Sequence, residues 1–125
     1  MSPIARIVYK QLDTNKRTGT RYSKGLPMRE IAYNRTAAVN YARRWALARN
    51  PAYYDFEEIG GDCTNFASQC IYAGSGIMNY KPVMGWYYNS SYDRTPSWSG
   101  VEYLYHFLIS NKSVGPFARV VSTEE

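Results

Sequence analysis

The run Gly60-Gly61-Asp62-Cys63-Thr64-Asn65-Phe66-Ala67-Ser68-Gln69 constrains this chain more than any other segment. Two successive glycines permit a tight turn that other residues resist, and apolar positions at helical spacing follow. The turn therefore feeds directly into a helix, with Asp62 as the N-cap and Cys63 as the first helical residue. A cysteine there lies beside unpaired backbone N–H groups and the positive end of the helix dipole. That environment favours the thiolate, which is the nucleophilic form, so the position suits a catalytic cysteine.

Bulk properties narrow the function classes. A length of 125 residues fits one domain with one core. Thirteen Tyr and three Trp suit a surface that contacts sugars or peptides, and equally a core whose hydroxyls reach water. The net charge of +5 favours anionic partners in general, including nucleic acid and cell-wall polymers. The basic residues are dispersed, however. Their densest run, Lys10 to Arg17, is broken by Asp13 and comes with no nucleic-acid-binding signature, which argues against a nucleic-acid partner.

No stretch has the length of a transmembrane helix, and Met1 to Tyr9 lacks the continuous apolar segment of a secretory signal peptide; the compartment stays open. Cys63 and Cys70, seven residues apart on one helix, are separated by about 10 Å along its axis. That exceeds disulfide reach, so both are expected as free thiols. A single histidine and no closely spaced cysteine pair argue against zinc, and the sequence calls for no cofactor.

Along the chain, residues 1–32 read as an N-terminal extension. Ile4 to Tyr9 fits a strand or a short helix, and Thr14 to Thr20 and Ser23 to Pro27 have turn or loop composition. The clearest helix runs from Asn34 to Arg49, capped by Asn34, with Ala38, Tyr41, Ala42, Trp45 and Ala46 on one face. Asn50-Pro51 stops it. The second helix is expected from Cys63 to about Ala73, burying Phe66, Ala67, Cys70 and Ile71, with Gly74 as its left-handed terminator. Cys70 then reads as a packed core thiol. Residues 75–98 carry Gly, Pro and aromatic residues with no period, the pattern of a long, often functional loop or short strands. Ser99-Gly100-Val101-Glu102 reads as a capping box that opens a third helix to about Ser110, with Val101, Leu104, Tyr105 and Leu108 inward.

A cysteine nucleophile needs a base, usually histidine, and a group that orients it. The lone histidine, His106, lies about 160° around the helix from Leu104 and Leu108. A surface pair with Glu102 one turn earlier explains it without catalysis. Asp62 has two readings, as a helix cap or as a group tuning the site; its charge opposes a thiolate rather than favouring it. Asn65 and Gln69 are candidate donors to a developing oxyanion, and Gln69 reads equally as a buried packing amide.

Tyr33-Asn34-Arg35-Thr36-Ala37-Ala38-Val39-Asn40-Tyr41-Ala42, Trp45-Ala46, Asn50-Pro51, Tyr54 and Phe56 precede the Gly-Gly-Asp-Cys-Thr-Asn-Phe run. Trp86-Tyr87-Tyr88 and Ser97-Trp98-Ser99-Gly100-Val101 follow it. From about Tyr33 to Phe117 this resembles the putative amidase domain family of Gram-positive bacteria, papain-like cysteine hydrolases distantly similar to the NlpC and CHAP cell-wall enzymes. The resemblance implies an α+β fold with an N-terminal helical part of about three helices, and residues 33–125 as a partial domain. It implies that Cys63 is the nucleophile, forming an acyl-enzyme thioester with a peptidoglycan peptide or muramoyl–alanine bond. The aromatic segment, with Trp86, Tyr87 and Trp98, then becomes a candidate substrate-binding surface for cell-wall peptide or glycan. Taken alone, the same aromatics suit a non-catalytic cell-wall binding or interaction module.

The family pattern continues into an antiparallel sheet that carries a Gly-Asp segment and the catalytic His. This chain reaches Glu125 without them. The expectation is a truncated domain, with that sheet largely missing, little activity alone, and uncovered faces that favour self-association.

Overall fold

Strand β1 (Ile7–Leu12) is the centre of a three-stranded antiparallel sheet. It pairs on one side with β2 (Met28–Ala32), Val8 opposite Ala32, and on the other with β5 (Gly115–Ala118), Ile7 opposite Ala118. The computed structural model describes residues 7–12 and 28–122. Between the strands lie α1 (Arg35–Trp45), α2 (Cys63–Ser75), the ladder of β3 (Tyr88–Ser90) and β4 (Asp93–Arg94), α3 (Pro96–Ser99) and α4 (Val101–Ser110). The fold class is α+β. A strand from the N-terminal segment is thus hydrogen-bonded to the strand that follows α4. Of the expected N-terminal features, only Ile7 to Tyr9 falls on described residues, as strand; the turn segments 14–20 and 23–27 lie outside them.

Helix α1 begins as its sequence dictates. The Asn34 side chain accepts a hydrogen bond from the Ala37 N–H at 3.0 Å, and Arg43 and Arg44 sit in the last turn, where cations complement the dipole. It ends at Trp45 rather than at Arg49. The released residues form turns, and Arg49 swings out to three carboxylates described below.

The two faces of α2 differ from expectation. Its buried residues include Thr64, Asn65, Ser68 and Gln69, while Phe66, Ala67, Cys70 and Ile71 are half-buried. A polar face can be buried when every donor and acceptor finds a partner, and here two indoles require partners. Trp86 and Trp98 are 0% exposed, with ring centroids 4.8 Å apart. Trp98 Nε1 donates to Asn65 Oδ1 at 2.9 Å. Trp86 Nε1 donates to Ser68 Oγ at 3.1 Å, and that hydroxyl donates to the Trp98 carbonyl at 2.8 Å. Phe56, Met78, Tyr88, Leu104 and Phe107 complete the core, and Phe107 stacks on Trp86.

Residues 75–98 are therefore structural rather than a free loop. An antiparallel bridge joins Asn79 to Trp86, and Asn79 Nδ2 donates to the Val114 carbonyl at 3.0 Å, tying this segment to the approach of β5. The capping box at α4 does not form. Gly100 is the N-cap, and Ser99 ends α3 and accepts from Arg94 Nε at 3.1 Å. Helix α4 buries Leu104 and Phe107, leaving Val101 and Tyr105 exposed. Its inward face is turned toward Phe107 because the buried indole of Trp86 offers that ring a stacking partner.

Gly76 (φ 71°), not Gly74, is the left-handed terminator of α2, and its N–H reaches the Tyr72 carbonyl at 2.7 Å. Gly74 stays helical for a packing reason. The Asn34 N–H donates to the Gly74 carbonyl at 2.8 Å, and a Cβ there would stand 2.5 Å from the Tyr33 ring. Gly74→Ala is expected to destabilise by about 1–3 kcal/mol through this overlap, measured as a shift in the urea midpoint at unchanged slope.

Burial, foremost, pushes the Tyr33 and Tyr53 phenols up to about 12, with Cys70 adding to the effect at Tyr33 and Tyr41 at Tyr53. The folded state therefore holds their protons more tightly than the unfolded chain, where Tyr titrates near 10. The stabilisation is complete below about pH 10 and is lost as pH rises toward 12. Melting temperatures should fall over that window, and Tyr53→Phe should flatten the fall.

Candidate active site

The segment before α2 is held at both ends. The Asn50 side chain accepts from the Ala52 N–H at 2.9 Å, the Tyr54 N–H donates to the Tyr88 hydroxyl at 2.7 Å, and the Gly61 N–H returns to the Phe56 carbonyl at 3.0 Å. Gly60 (φ 110°) and Gly61 (φ 99°) turn the chain into α2. Any other residue would be strained in this left-handed region, at about 1–2 kcal/mol each. The double glycine thus delivers Cys63 to the head of α2 with its side chain exposed. On the helix Cys63 lies about 160° from Asn65, opposite the buried polar face.

Asp62 occupies the N-cap position, yet its carboxylate makes no hydrogen bond to the amides of α2. It turns back instead. Oδ1 accepts from the Phe56 N–H and from Asn65 Nδ2, both at 2.9 Å. Oδ2 accepts from an Arg49 terminal nitrogen at 2.6 Å. The same guanidinium meets Asp55 at 3.2 Å and Glu57 at 2.6 Å. The Glu57 hydrogen bond, helped by Asp55 and Asp62, raises the Arg49 pKa and keeps it charged. Because the Asp62 carboxylate turns away, it takes none of the first-turn N–H groups beside Cys63. An open cleft of about 350 Å³ is lined by residues 45–49, Asp62 and Phe66; Cys63 itself is not part of its wall.

The other candidates separate. Asn65, 2% exposed, has both amide ends committed: Nδ2 donates to the Tyr54 carbonyl at 3.0 Å and to Asp62, and Oδ1 accepts from Trp98. Gln69 is buried and accepts from the Tyr41 hydroxyl, which itself accepts from Asn50 Nδ2 at 3.1 Å. Asn65 is thus a structural tie with no donor left for an oxyanion, whereas Gln69 is engaged through its oxygen. Trp86 and Trp98, expected at a binding surface, are wholly inside the core; a ring this large repays burial best where its N–H finds an acceptor. Tyr87 keeps part of its surface and donates to Asp93 at 2.9 Å. The pairing of His106 with Glu102 is absent. The exposed imidazole stands edge-on to Tyr105 and makes no hydrogen bond or ion pair with any described residue.

Cys63 and Cys70 are both free. Burial pushes the Cys70 thiol up, the behaviour of an inert packed cysteine. Among the described residues no group of three or more His, Cys, Asp or Glu is placed to hold a metal ion, and no helix is long and apolar enough to cross a membrane. Arg49 is the residue that sequence reading passed over. Its signal was an arginine just before the Asn-Pro stop, followed by acidic residues at 55, 57 and 62.

If Asn65 is a structural tie, truncating it leaves the Trp98 indole N–H and the Tyr54 carbonyl without partners in the interior. Asn65→Ala should then lower stability by about 2–4 kcal/mol, read by chemical denaturation. A purely catalytic amide would leave the midpoint in place.

Sequence comparison places this site in a family. The chain is 37% identical over 100 residues to the uncharacterized protein YhbB of Bacillus subtilis (strain 168). The aligned stretch is 78% of this chain and 30% of that protein, so the chain spans under a third of its relative's length. No solved structure matches. The family match runs over residues 32–125, which takes in α1 to α4 and β3 to β5 but only the last residue of β2. On that match the chain belongs to the putative amidase domain family, a family described at the level of amide hydrolysis.

Proposed function

We propose that this chain is the nucleophile-bearing part of a cysteine-dependent amide hydrolase of papain-like architecture, acting on peptide or muramoyl–alanine bonds of peptidoglycan. The observation that carries the reading is Cys63 itself, exposed on the first turn of α2 with the neighbouring carboxylate turned away from the helix amides. In the reaction Cys63 Sγ adds to the amide carbonyl carbon, and the helix amides stabilise the oxyanion. Collapse breaks the C–N bond, the leaving amine takes a proton, and the acyl group remains as a thioester. Water then adds to the thioester, releasing the acid and restoring the thiol.

The proton transfers need a general base. No hydrogen bond or ion pair joins the His106 imidazole to Cys63 or any other described residue, so the reading assigns the base to sequence outside the described residues. The Bacillus subtilis relative, of which the match covers 30%, is long enough to hold one. The net charge of +5 suits an anionic cell-wall polymer as substrate. The alternative of a non-catalytic aromatic module loses its two strongest anchors, since neither Trp86 nor Trp98 has surface to offer a ligand.

Two measurements test the proposal. Iodoacetamide at pH 7.5 should modify Cys63 at least about tenfold faster than Cys70, whose burial both shields the thiol and disfavours its thiolate. In the full-length protein carrying this domain, muropeptide cleavage followed by mass spectrometry should vanish in Cys63→Ala and persist in Cys70→Ser. Retained cleavage in Cys63→Ala would overturn the assignment.

A further inference from the structure

An aspartate at an N-cap ordinarily accepts from the amides of the second or third helical residue. At α2 that would place a full negative charge against Cys63 and occupy the donors that a thiolate or oxyanion needs. Asp62 does neither, and Arg49 supplies the physical reason. Its three nitrogens each meet a separate carboxylate: Nε with Asp55 and the terminal pair with Glu57 and Asp62. Asp55 and Glu57 hold the guanidinium in place, while Asp62 takes its charge and lies at 15% exposure. The second Asp62 oxygen is taken by Phe56 N–H and Asn65 Nδ2. Ion pairs as exposed as those to Asp55 and Glu57 add little to stability. The effect of this fork therefore falls on the charge and orientation of the group adjoining Cys63.

We propose that Arg49 is a positioning residue for the Cys63 chemistry, neutralising Asp62 and holding it back from the head of α2. The inference rests on Cys63 being the reactive thiol of the proposed hydrolase. Arginine is required rather than lysine, because an ammonium restores the charge and cannot present three fixed donors to three carboxylates. With Arg49 gone, the residue adjoining Cys63 is an uncompensated anion, held only through its other oxygen by the Phe56 N–H and Asn65 Nδ2.

The test reads thiol reactivity, which needs no substrate and no base. In the whole chain carrying Cys70→Ser, second-order alkylation rates of Cys63 are measured at pH 7 and low salt with neutral iodoacetamide and anionic iodoacetate. Arg49→Gln should slow iodoacetamide on the order of threefold and iodoacetate more. Adding Asp62→Asn to Arg49→Gln should restore the iodoacetamide rate, Arg49→Lys should recover only part of the loss, and 0.5 M salt should narrow the differences. Asp62→Asn alone, a second arm should Arg49→Gln fail to fold, leaves Arg49 over a neutral amide and should speed both reagents, iodoacetate more. Unchanged rates in Arg49→Gln with a lowered melting temperature, or failure of Asp62→Asn to restore them, would overturn the proposal and leave Arg49 a simple loop tie. Should Cys63 not be the nucleophile, muropeptide cleavage survives Cys63→Ala while these rate differences stand, so the two failures are distinguishable.

Discussion

Two indole N–H groups buried without any access to water must each find an acceptor, and helix α2 supplies both. An unpaired buried donor costs about 1–3 kcal/mol, so the pairing of Trp98 with Asn65 and of Trp86 with Ser68 fixes the rotation of α2 about its axis as firmly as apolar packing could. Once Asn65 and Ser68 face the core, geometry sends Cys63 to the opposite side. The exposure of the thiol is thus a consequence of the core. Among the described residues every buried side-chain nitrogen and oxygen has a partner, and such fully satisfied networks specify a single arrangement where partly satisfied ones do not.

Local interactions were legible in the sequence and distant ones were not. The Asn34 cap, the double-glycine turn and the start of α2 at Cys63 depend on residues within a few positions of one another, and each stands where expected. The separation of two free thiols follows from helix geometry alone. The errors share another cause. Asn65 and Ser68 carry no local sign of burial until Trp98 and Trp86 arrive from some 20 to 30 positions away to claim them, while Gln69 is taken by Tyr41 of α1. Gly74 passed for a terminator because the ring that needs its missing side chain, Tyr33, lies on another element. The α4 face was misjudged by leaving out Phe107, whose burial depends on stacking with Trp86. The pairing of β1 with β5 spans most of the chain and has no local signature. At the site, the thiol was readable from its own segment, whereas Arg49 was not, because its role exists only once α1 ends early and the acidic loop folds back.

Global charge gives poor guidance to the surroundings of Cys63. The chain carries a net +5, yet one arginine faces three carboxylates on the segment leading into α2. Beyond about 10 Å, solvent ions screen the dispersed lysines and arginines at ordinary ionic strength, whereas the Arg49 contacts to Glu57 and Asp62 at 2.6 Å lie well inside that length. On the proposal above it is Asp62, Arg49 and the helix amides that act on the thiol, while the overall basicity acts on long-range attraction to polyanions.

A division of labour along α2 follows. The Asn65 amide that sequence reading offered to the chemistry is locked into the core, and the Asp62 carboxylate is held away from the backbone amides of the first turn. For oxyanion stabilisation this is the better arrangement. A side-chain amide free enough to reach a substrate must lose rotamer freedom when it does so, whereas a helix N–H is already fixed and need not reorganise as charge develops. The rigidity comes from the indole network at one end of the argument and the access from the Arg49 fork at the other. On the proposed chemistry, both are needed for the same few backbone groups to act.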